Sequence, residues 1–346
     1  MRALTISAHG GLEQLQVLSD LPVPELRAAT DVRIRVRAAA LNHLDLFVLE
    51  GLPGVTITPP WVMGADAAGV VDAVGADVRG LAPGDHVVLN PGISDRACEY
   101  CRVGEHSLCV RYQLLGEHLP GTCAEYVVVP AVNAWRVPPD TPWDVAAGLP
   151  LAALTAWRMV VTRAAVTAND LVLIWGIGGG VAIMALQMAK RLGARVWVTS
   201  GSDAKLDRAR ALGADEVFNH RTQDVAREVR ARTGKRGADV VIDNVGAATW
   251  SQSLLALGRG GRLVTCGATS GPLVETDLRR MFWNQWTLMG STMGNDREFE
   301  AMLAAFTAGR IAPALDSVFT LEHGKAAFER LASGDHFGKI VILVGD

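Results

Sequence analysis

Leu171-Val-Leu-Ile-Trp-Gly-Ile-Gly-Gly-Gly-Val-Ala182 is the stretch on which the reading of this chain turns. Its first five residues are a short apolar run of the kind that fills a buried parallel strand. Gly176, Gly178, Gly179, Gly180 and Val181 follow, and then an almost wholly apolar segment from Ala182 to Leu192. Lys190 and Arg191 in its last turn, with Gly193 beyond, predict a helix that has favourable C-terminal charges and a stop. A second strand is predicted over Arg195 to Ser200. Strand, glycine turn, helix, strand is a dinucleotide-binding unit: glycines let the backbone approach a pyrophosphate, and the helix N-terminus offers it free N–H groups. The glycine spacing is one residue longer than G-x-G-x-x-G and ends in alanine. The complete βαβ context therefore carries the reading, because the glycine pattern alone is weak.

The tip of the second strand bears on the choice of dinucleotide. Units that bind NAD place an acid there for the ribose 2′-OH. This chain reads Thr199-Ser-Gly-Ser-Asp-Ala-Lys205, which puts the small, uncharged Ser200 at the tip. Ser202 offers a hydrogen bond, and Lys205 and Arg208 fall on the first turns of the next predicted helix. A 2′-phosphate suits such a place, where a carboxylate would repel it, so NADP(H) is expected. Asp203 either meets the ribose itself or serves as a cap or first-turn residue.

A length of 346 residues exceeds one ordinary core and predicts two domains. Lys and Arg number 33 against 36 Asp and Glu, with no basic block, which argues against nucleic acid or an anionic membrane as partner. No apolar run reaches spanning length, and Met1-Arg-Ala-Leu-Thr-Ile6 enters a strand-like pattern with no signal-type core. Three of the five cysteines are bunched, which points to a metal site in a reducing compartment rather than to disulfides. A cytoplasmic protein is expected.

Asp31-Val-Arg-Ile-Arg-Val-Arg37 alternates as a half-buried strand does. Further short strands are predicted at Gly69–Val74, His86–Asn90 and Glu125–Val129, at the spacing of a small β-barrel. Residues 144–163 read as an apolar helical bridge. Beyond Asn219 the βα alternation continues, and its strands end in small-residue turns, Asn244-Val245-Gly246 and Gly267-Ala268-Thr-Ser-Gly271. Loops at strand C-termini are where a doubly wound sheet holds its ligand, so Asn244, Val245, Gly267 and Ala268 join the expected cofactor contacts. A last strand, Gly338–Val344, is expected to return to the first domain. The expected division is 1–130 completed by 294–346, and 131–293.

Ala40-Leu-Asn-His-Leu-Asp45, Met63-Gly-Ala-Asp66, Gly69-Val-Val-Asp-Ala-Val-Gly75, Gly84-Asp-His-Val87, the cysteine segment, the glycine turn and Phe337-Gly-Lys339 together resemble the medium-chain dehydrogenase/reductase superfamily over essentially the whole chain. Within it the resemblance is to zinc-independent quinone oxidoreductases and enone reductases. The resemblance implies an α/β chain with a GroES-like β-barrel domain, a Rossmann domain and an active site in the cleft between them. It also implies a homodimer or homotetramer and places Lys339 among the cofactor contacts. Asn42 and Asp45 match positions beside nicotinamide and substrate, Asn42 as a partner for a substrate carbonyl. Thr155 matches a threonine that meets the cofactor, or lies on a helix surface. Trp61, Trp283 and Trp286 either wall an acceptor pocket or belong to cores.

Zinc alcohol dehydrogenases of this superfamily carry cysteine where this chain has Asn42, histidine then glutamate where it has Ala65 and Asp66, and a further ligand near Leu151. Asparagine, alanine and leucine do not hold tetrahedral Zn²⁺. Asp95-x2-Cys98-x2-Cys101-x7-Cys109 resembles the superfamily's structural-zinc spacing with aspartate in place of the first cysteine, and His106 is a rival fourth ligand. The expected activity is hydride transfer from NADPH to a quinone or an α,β-unsaturated carbonyl, with structural Zn²⁺ alone. The alternatives are an alcohol or aldehyde dehydrogenase, including one that recruits metal through Asp66, and a non-enzymatic NADPH-binding sensor or scaffold.

Overall fold

The alternating stretch forms the centre of the first unit as strand β1, Asp31–Leu41. Val32, Ile34 and Val36 are buried while Arg33, Arg35 and Arg37 are not, as one covered face requires. From Ala38 to Leu41 every residue is buried, because the strand there has neighbours on both faces. Asn42 then ends the strand and caps helix α1, His43–Glu50, in a reciprocal box with Asp45. Strands β2 (Asp66–Val74), β3 (His86–Leu89), β4 (Tyr126–Pro130) and β5 (Ala134–Arg136) complete this part of the barrel.

The chain, described here over Met1–Gly345 in a computed structural model, then enters a second unit. Strand β6 (Leu171–Ile174), helix α2 (Gly180–Arg191), strand β7 (Arg195–Ser200), helix α3 (Asp203–Ala211) and strand β8 (Glu216–Asn219) alternate as the sequence predicts. Strands β9 (Ala238–Asp243), β10 (Leu257–Thr265) and β11 (Thr287–Gly290) follow, with a helix over Ala247–Ala256. All six strands run parallel in the order β8-β7-β6-β9-β10-β11, the doubly wound arrangement. Strand order reverses between β6 and β9, so the loops after these two strands border the switch point where such sheets take ligands.

Helix α4 (Asp296–Thr307) brings the chain back to the first unit, followed by strands β12 (Leu315–Thr320) and β13 (Lys339–Leu343). The barrel sheet runs β5-β3-β2-β1-β13-β12, with β4 also on β1. The expected return of the last strand is thus made: Ile340 lies opposite Leu41, antiparallel. On β1's other side Ala40 lies opposite Asp66. Three neighbouring strand ends therefore bring Asn42, Asp66 and Lys339 together.

The units divide at Ala152/Ala153 and at Gly294/Asn295, with Ala308–Ile311 returning to the second. The first of these boundaries lies about twenty residues beyond the expected 130. The reason is pairing and packing: β5 extends the barrel sheet on β3, and a helix over Trp143–Ala147 packs on β1 and β2. Trp61 and Trp286 are buried in the cores of their respective units, their indole N–H groups donating to Gly116 and Gly258 carbonyls. Trp283 is 68% exposed. Among the described residues no helix is long and apolar enough to cross a membrane.

Lys339 is delivered by a glycine that the backbone requires. Gly338 has φ 108°, and a methyl group on it would come within 2.3 Å of the Ala314 carbonyl oxygen. Gly334 also has positive φ, 68°, but faces open space. Gly338→Ala is expected to destabilise the chain by about 2 kcal/mol or more, and Gly334→Ala by about 1 kcal/mol. Urea unfolding of both variants checks this, and equal losses would remove the backbone clash from the account.

Candidate functional site

Asn42, Asp45, Asp66 and Lys339 form a buried polar cluster in the first unit, exposed by 8%, 1%, 0% and 4% respectively. Lys339 Nζ donates to Asn42 Oδ1 and to Asp66 Oδ2, the latter at 3.0 Å. Asn42 Nδ2 donates to the same Asp66 oxygen at 2.9 Å. The other Asp66 oxygen accepts from the Leu151 backbone N–H at 2.8 Å. Three donors converge on one carboxylate, which is what makes a charge tolerable at zero exposure.

This arrangement bears on two expectations. Asn42 has both ends of its amide engaged within the cluster, so its structural partners are Lys339 and Asp66. Asp66, considered above as a recruit for metal, is ion-paired with a lysine, and an ammonium group 3.0 Å away opposes a dication. Ala65 and Leu151 bring no ligand atoms in their side chains. These residues do not fit a catalytic metal. Lys339, expected at the cofactor from resemblance alone, lies in this cluster. Asp45 accepts the Asn42 backbone N–H at 2.7 Å, and burial pushes its carboxyl up to about 7 despite that bond and the nearby Lys339.

The metal lobe lies in the same unit. One ligand atom each from Asp95, Cys98, Cys101 and Cys109 lies within 4.8 Å of all the others. All five cysteines are free, and the Cys98 and Cys101 sulfurs are 3.5 Å apart. Asp95 Oδ1 accepts from the Ala97 and Cys98 amides, which holds its carboxyl well below the ordinary range, while buried Oδ2 accepts no hydrogen bond. Burial pushes the Cys101 thiol up to about 12, so in isolation it keeps its proton at neutral pH. Bound Zn²⁺ would displace that proton and use Asp95 Oδ2, whose nearby cation, Arg111 Nε at 3.6 Å, belongs to a mostly exposed side chain that can yield, so the donor set fits the ion. His106 is turned elsewhere: its Nδ1 is 3.4 Å from the Asp296 amide nitrogen and its Nε2 is 3.4 Å from Arg96 Nη1.

In the second unit the glycine turn has the form that a pyrophosphate needs. Gly176 and Gly178 have φ 68° and 148°, and Gly179 caps α2 with open space where a side chain would stand. Gly180 and Val181 begin the helix, half-buried. Asn244, Val245, Gly267 and Ala268 follow the C-termini of β9 and β10 on the same edge, and Asn244 Oδ1 is buried without a hydrogen bond. Thr155 is 6% exposed, its hydroxyl 3.6 Å from Met293 Sδ.

At the tip of β7, Ser200 is buried and its Oγ accepts the Ser202 N–H at 3.2 Å. Ser202 caps α3, Asp203 and Lys205 lie in its first turns, and Asp203 accepts from Asn219 Nδ2. Sequence reasoning missed two residues here. Ser200 pairs with Asn219 in parallel register, so His220 and Arg221 emerge beside Gly201. A methyl group on Gly201 would come within 2.7 Å of Arg221 Nε and 3.1 Å of His220 Nε2. The Arg221 guanidinium makes no hydrogen bond or ion pair among the described residues. The available signal was weak: a basic pair directly after a predicted strand, with strand neighbours unknown.

Two predictions follow from this geometry. Asp45 holds a proton in the folded chain that the unfolded chain releases near pH 4, so the group costs stability progressively as pH rises from about 4 toward 7. Asp45→Asn keeps an acceptor for the helix cap and should flatten that part of the stability–pH curve in urea titrations; an unchanged slope would refute the assignment. Purified protein should carry one zinc per chain by elemental analysis. Cys101→Ser and Asp95→Ala should lose the metal and His106→Ala should keep it, and the reverse for the last two would make His106 the ligand.

Comparison with known proteins covers both units. Residues 28–139 match the alcohol dehydrogenase GroES-like domain family, and residues 180–308 match the zinc-binding dehydrogenase family. The NAD-dependent alcohol dehydrogenase of Sulfurisphaera tokodaii is 30% identical over 94% of this chain and 96% of its own length. The quinone oxidoreductase of Lama guanicoe is 30% identical over 99% of this chain and 98% of its own. A crystal structure of an NAD-dependent alcohol dehydrogenase is 45% identical, with a TM-score of 0.95 and full coverage of both chains.

Proposed function

The chain belongs to the medium-chain dehydrogenase/reductase superfamily, among its zinc-type alcohol dehydrogenase-like members, and from that premise we propose an NADPH-dependent reductase of quinones or α,β-unsaturated carbonyls that works without catalytic zinc. One observation carries the reading: of the two carboxyl groups in the buried cluster, Asp66 is already bound to Lys339, Asn42 and the Leu151 amide, and Asp45 accepts the Asn42 N–H with its carboxyl pushed up to about 7 by burial. An unactivated alcohol needs its proton removed as hydride leaves, and a metal-bound alkoxide is the usual device. An electron-poor alkene or quinone needs no such activation. NADPH, when bound, supplies the hydride.

The chain's own residues divide the remaining work. Gly176, Gly178, Gly179, Gly180 and Val181 would receive the pyrophosphate, and Asn244, Val245, Gly267 and Ala268 border the same edge. Ser200, Ser202 and Lys205, with Arg221, would receive the adenosine 2′-phosphate, for which an arginine with no protein partner is suited. Asn42, held by Lys339 and Asp66, would serve the acceptor, Asp45 would orient Asn42 through its backbone N–H, and Thr155 would meet the cofactor. Zinc would sit in the lobe on Asp95, Cys98, Cys101 and Cys109. The acceptor is a small molecule, and the working form a homodimer or homotetramer in the cytoplasm.

A second reading has its own support. The solved relative at 45% identity is named as an NAD-dependent alcohol dehydrogenase, as is the protein of Sulfurisphaera tokodaii. Initial rates with NADPH and NADH over 1,4-quinones, enones and simple aliphatic alcohols separate the two. The reductase reading expects quinone or enone reduction with NADPH and poor alcohol oxidation. Arg221→Ala should raise the KM for NADPH about tenfold or more and leave that for NADH nearly unchanged, while Ser200→Asp should favour NADH. Robust alcohol oxidation with NAD⁺ would establish the second reading instead, and inertness toward the whole panel would leave a binding protein or scaffold.

A further inference from the structure

The metal lobe is fastened to the place where the chain re-enters its unit. The main segment of the second unit ends at Gly294, and Asn295 and Asp296 begin the return. Asn295 caps α4 in a reciprocal box: its backbone N–H donates to Glu298 Oε2 at 2.7 Å, and its Oδ1 accepts the Glu298 N–H at 3.0 Å. Three lobe residues reach this cap from outside. Arg96, next to Asp95 in the chain, forks onto both oxygens of Asp296, with Nη2 at 3.3 Å from Oδ1. The His106 ring meets the Asp296 amide, and Glu105 Oε1 accepts from Asn295 Nδ2 at 3.4 Å.

None of these three residues belongs to the metal donor set, yet all are spaced by it. Arg96 follows the first donor directly in left-handed backbone, φ 57°, a conformation unfavourable for arginine that its surroundings must impose. Glu105 and His106 lie between Cys101 and Cys109. A segment this short, 95–109, has little apolar surface to order itself: Val103 and Leu108 are exposed by 72% and 52%. Four bonds to one ion are the strongest constraint available to such a loop.

We infer that the lobe is a metal-dependent clamp on the return crossover. With the metal held, Arg96, Glu105 and His106 keep Asn295 and Asp296 seated and the first turn of α4 ordered. Without it, the loop relaxes and the crossover loses its outer contacts while its own cap remains. The inference rests on the lobe's being a metal site, so metal content and backbone order must be measured in the same samples.

Hydrogen exchange by mass spectrometry on the full-length chain tests this, with zinc quantified in parallel. Removing zinc with a chelator should raise exchange at 95–109 and also, by about tenfold or more, at 294–299, while β2 stays protected. Asp296→Asn should keep one zinc per chain but exchange fast at 294–299 with metal bound, and chelation should then add little there. Arg96→Gln should behave the same way, which separates loss of the clamp from an effect of residue 296 alone. Deprotection of the lobe with 294–299 unmoved would overturn the clamp and leave the metal site standing. So would uniform deprotection that includes β2, since the metal would then hold the whole unit. Protein that carries no zinc as purified, and gains none when it is supplied, would overturn both.

Discussion

The buried pair of Lys339 and Asp66 is the constraint around which the first unit's candidate site is built. An ammonium and a carboxylate with almost no exposure are tolerated only because each is held by further hydrogen bonds. Asn42 and the Leu151 amide supply them on the carboxylate side, and Asn42 closes the triangle on the lysine side. Taking away one member leaves a charge in apolar surroundings, at a typical cost of about 3–5 kcal/mol. An ammonium group fixed 3.0 Å from Asp66 opposes a second cation at that carboxylate, which is the support for the metal-independent reading proposed above.

The pair exists because the two ends of the chain share a sheet. β1 and β2 come from the first quarter of the sequence and β13 from its last residues, and β13 lies on β1 after the excursion through the second unit. Folding of the barrel is therefore non-local, and Lys339 reaches Asn42 across 297 residues of sequence. The glycine before it takes a conformation and a close backbone approach that a side chain would obstruct. Asp45 carries the electrostatic consequence: with one carboxylate already paired to the lysine, burial leaves the second protonated near neutrality.

The second unit solves a different problem, that of meeting a polyanion with few fixed charges. Its glycine turn offers backbone N–H groups and room, and these suit any pyrophosphate. In the proposed reading, discrimination at the adenosine end falls to side chains at two adjacent strand tips. Ser200 leaves that place uncharged, and Arg221 lies over Gly201 with its guanidinium unpaired among the described residues. Gly201 matters as space, because a side chain there would meet that arginine.

Read from the sequence alone, the periodicities of Asp31–Arg37 and Leu171–Ser200 were sufficient for a β-barrel and a doubly wound sheet. Short-range patterns specify short-range structure, and a complete βαβ unit is local. The cysteine spacing likewise pointed to a candidate metal lobe, since residues within fifteen positions of one another lie close in space. Three matters needed the tertiary structure. The boundary at Ala152 follows from a late strand pairing on the barrel edge, which composition does not reveal. Arg221 entered the cofactor edge through the register of Ser200 with Asn219, and Lys339 entered the Asn42 cluster through the register of Ile340 with Leu41. The His106 imidazole points toward Asp296, an orientation that favours Asp95 in the proposed donor set and that spacing alone does not reveal. Sequence determines what each segment prefers by itself; which strand ends meet is settled by long-range pairing, where burial of a whole face outweighs any local signal.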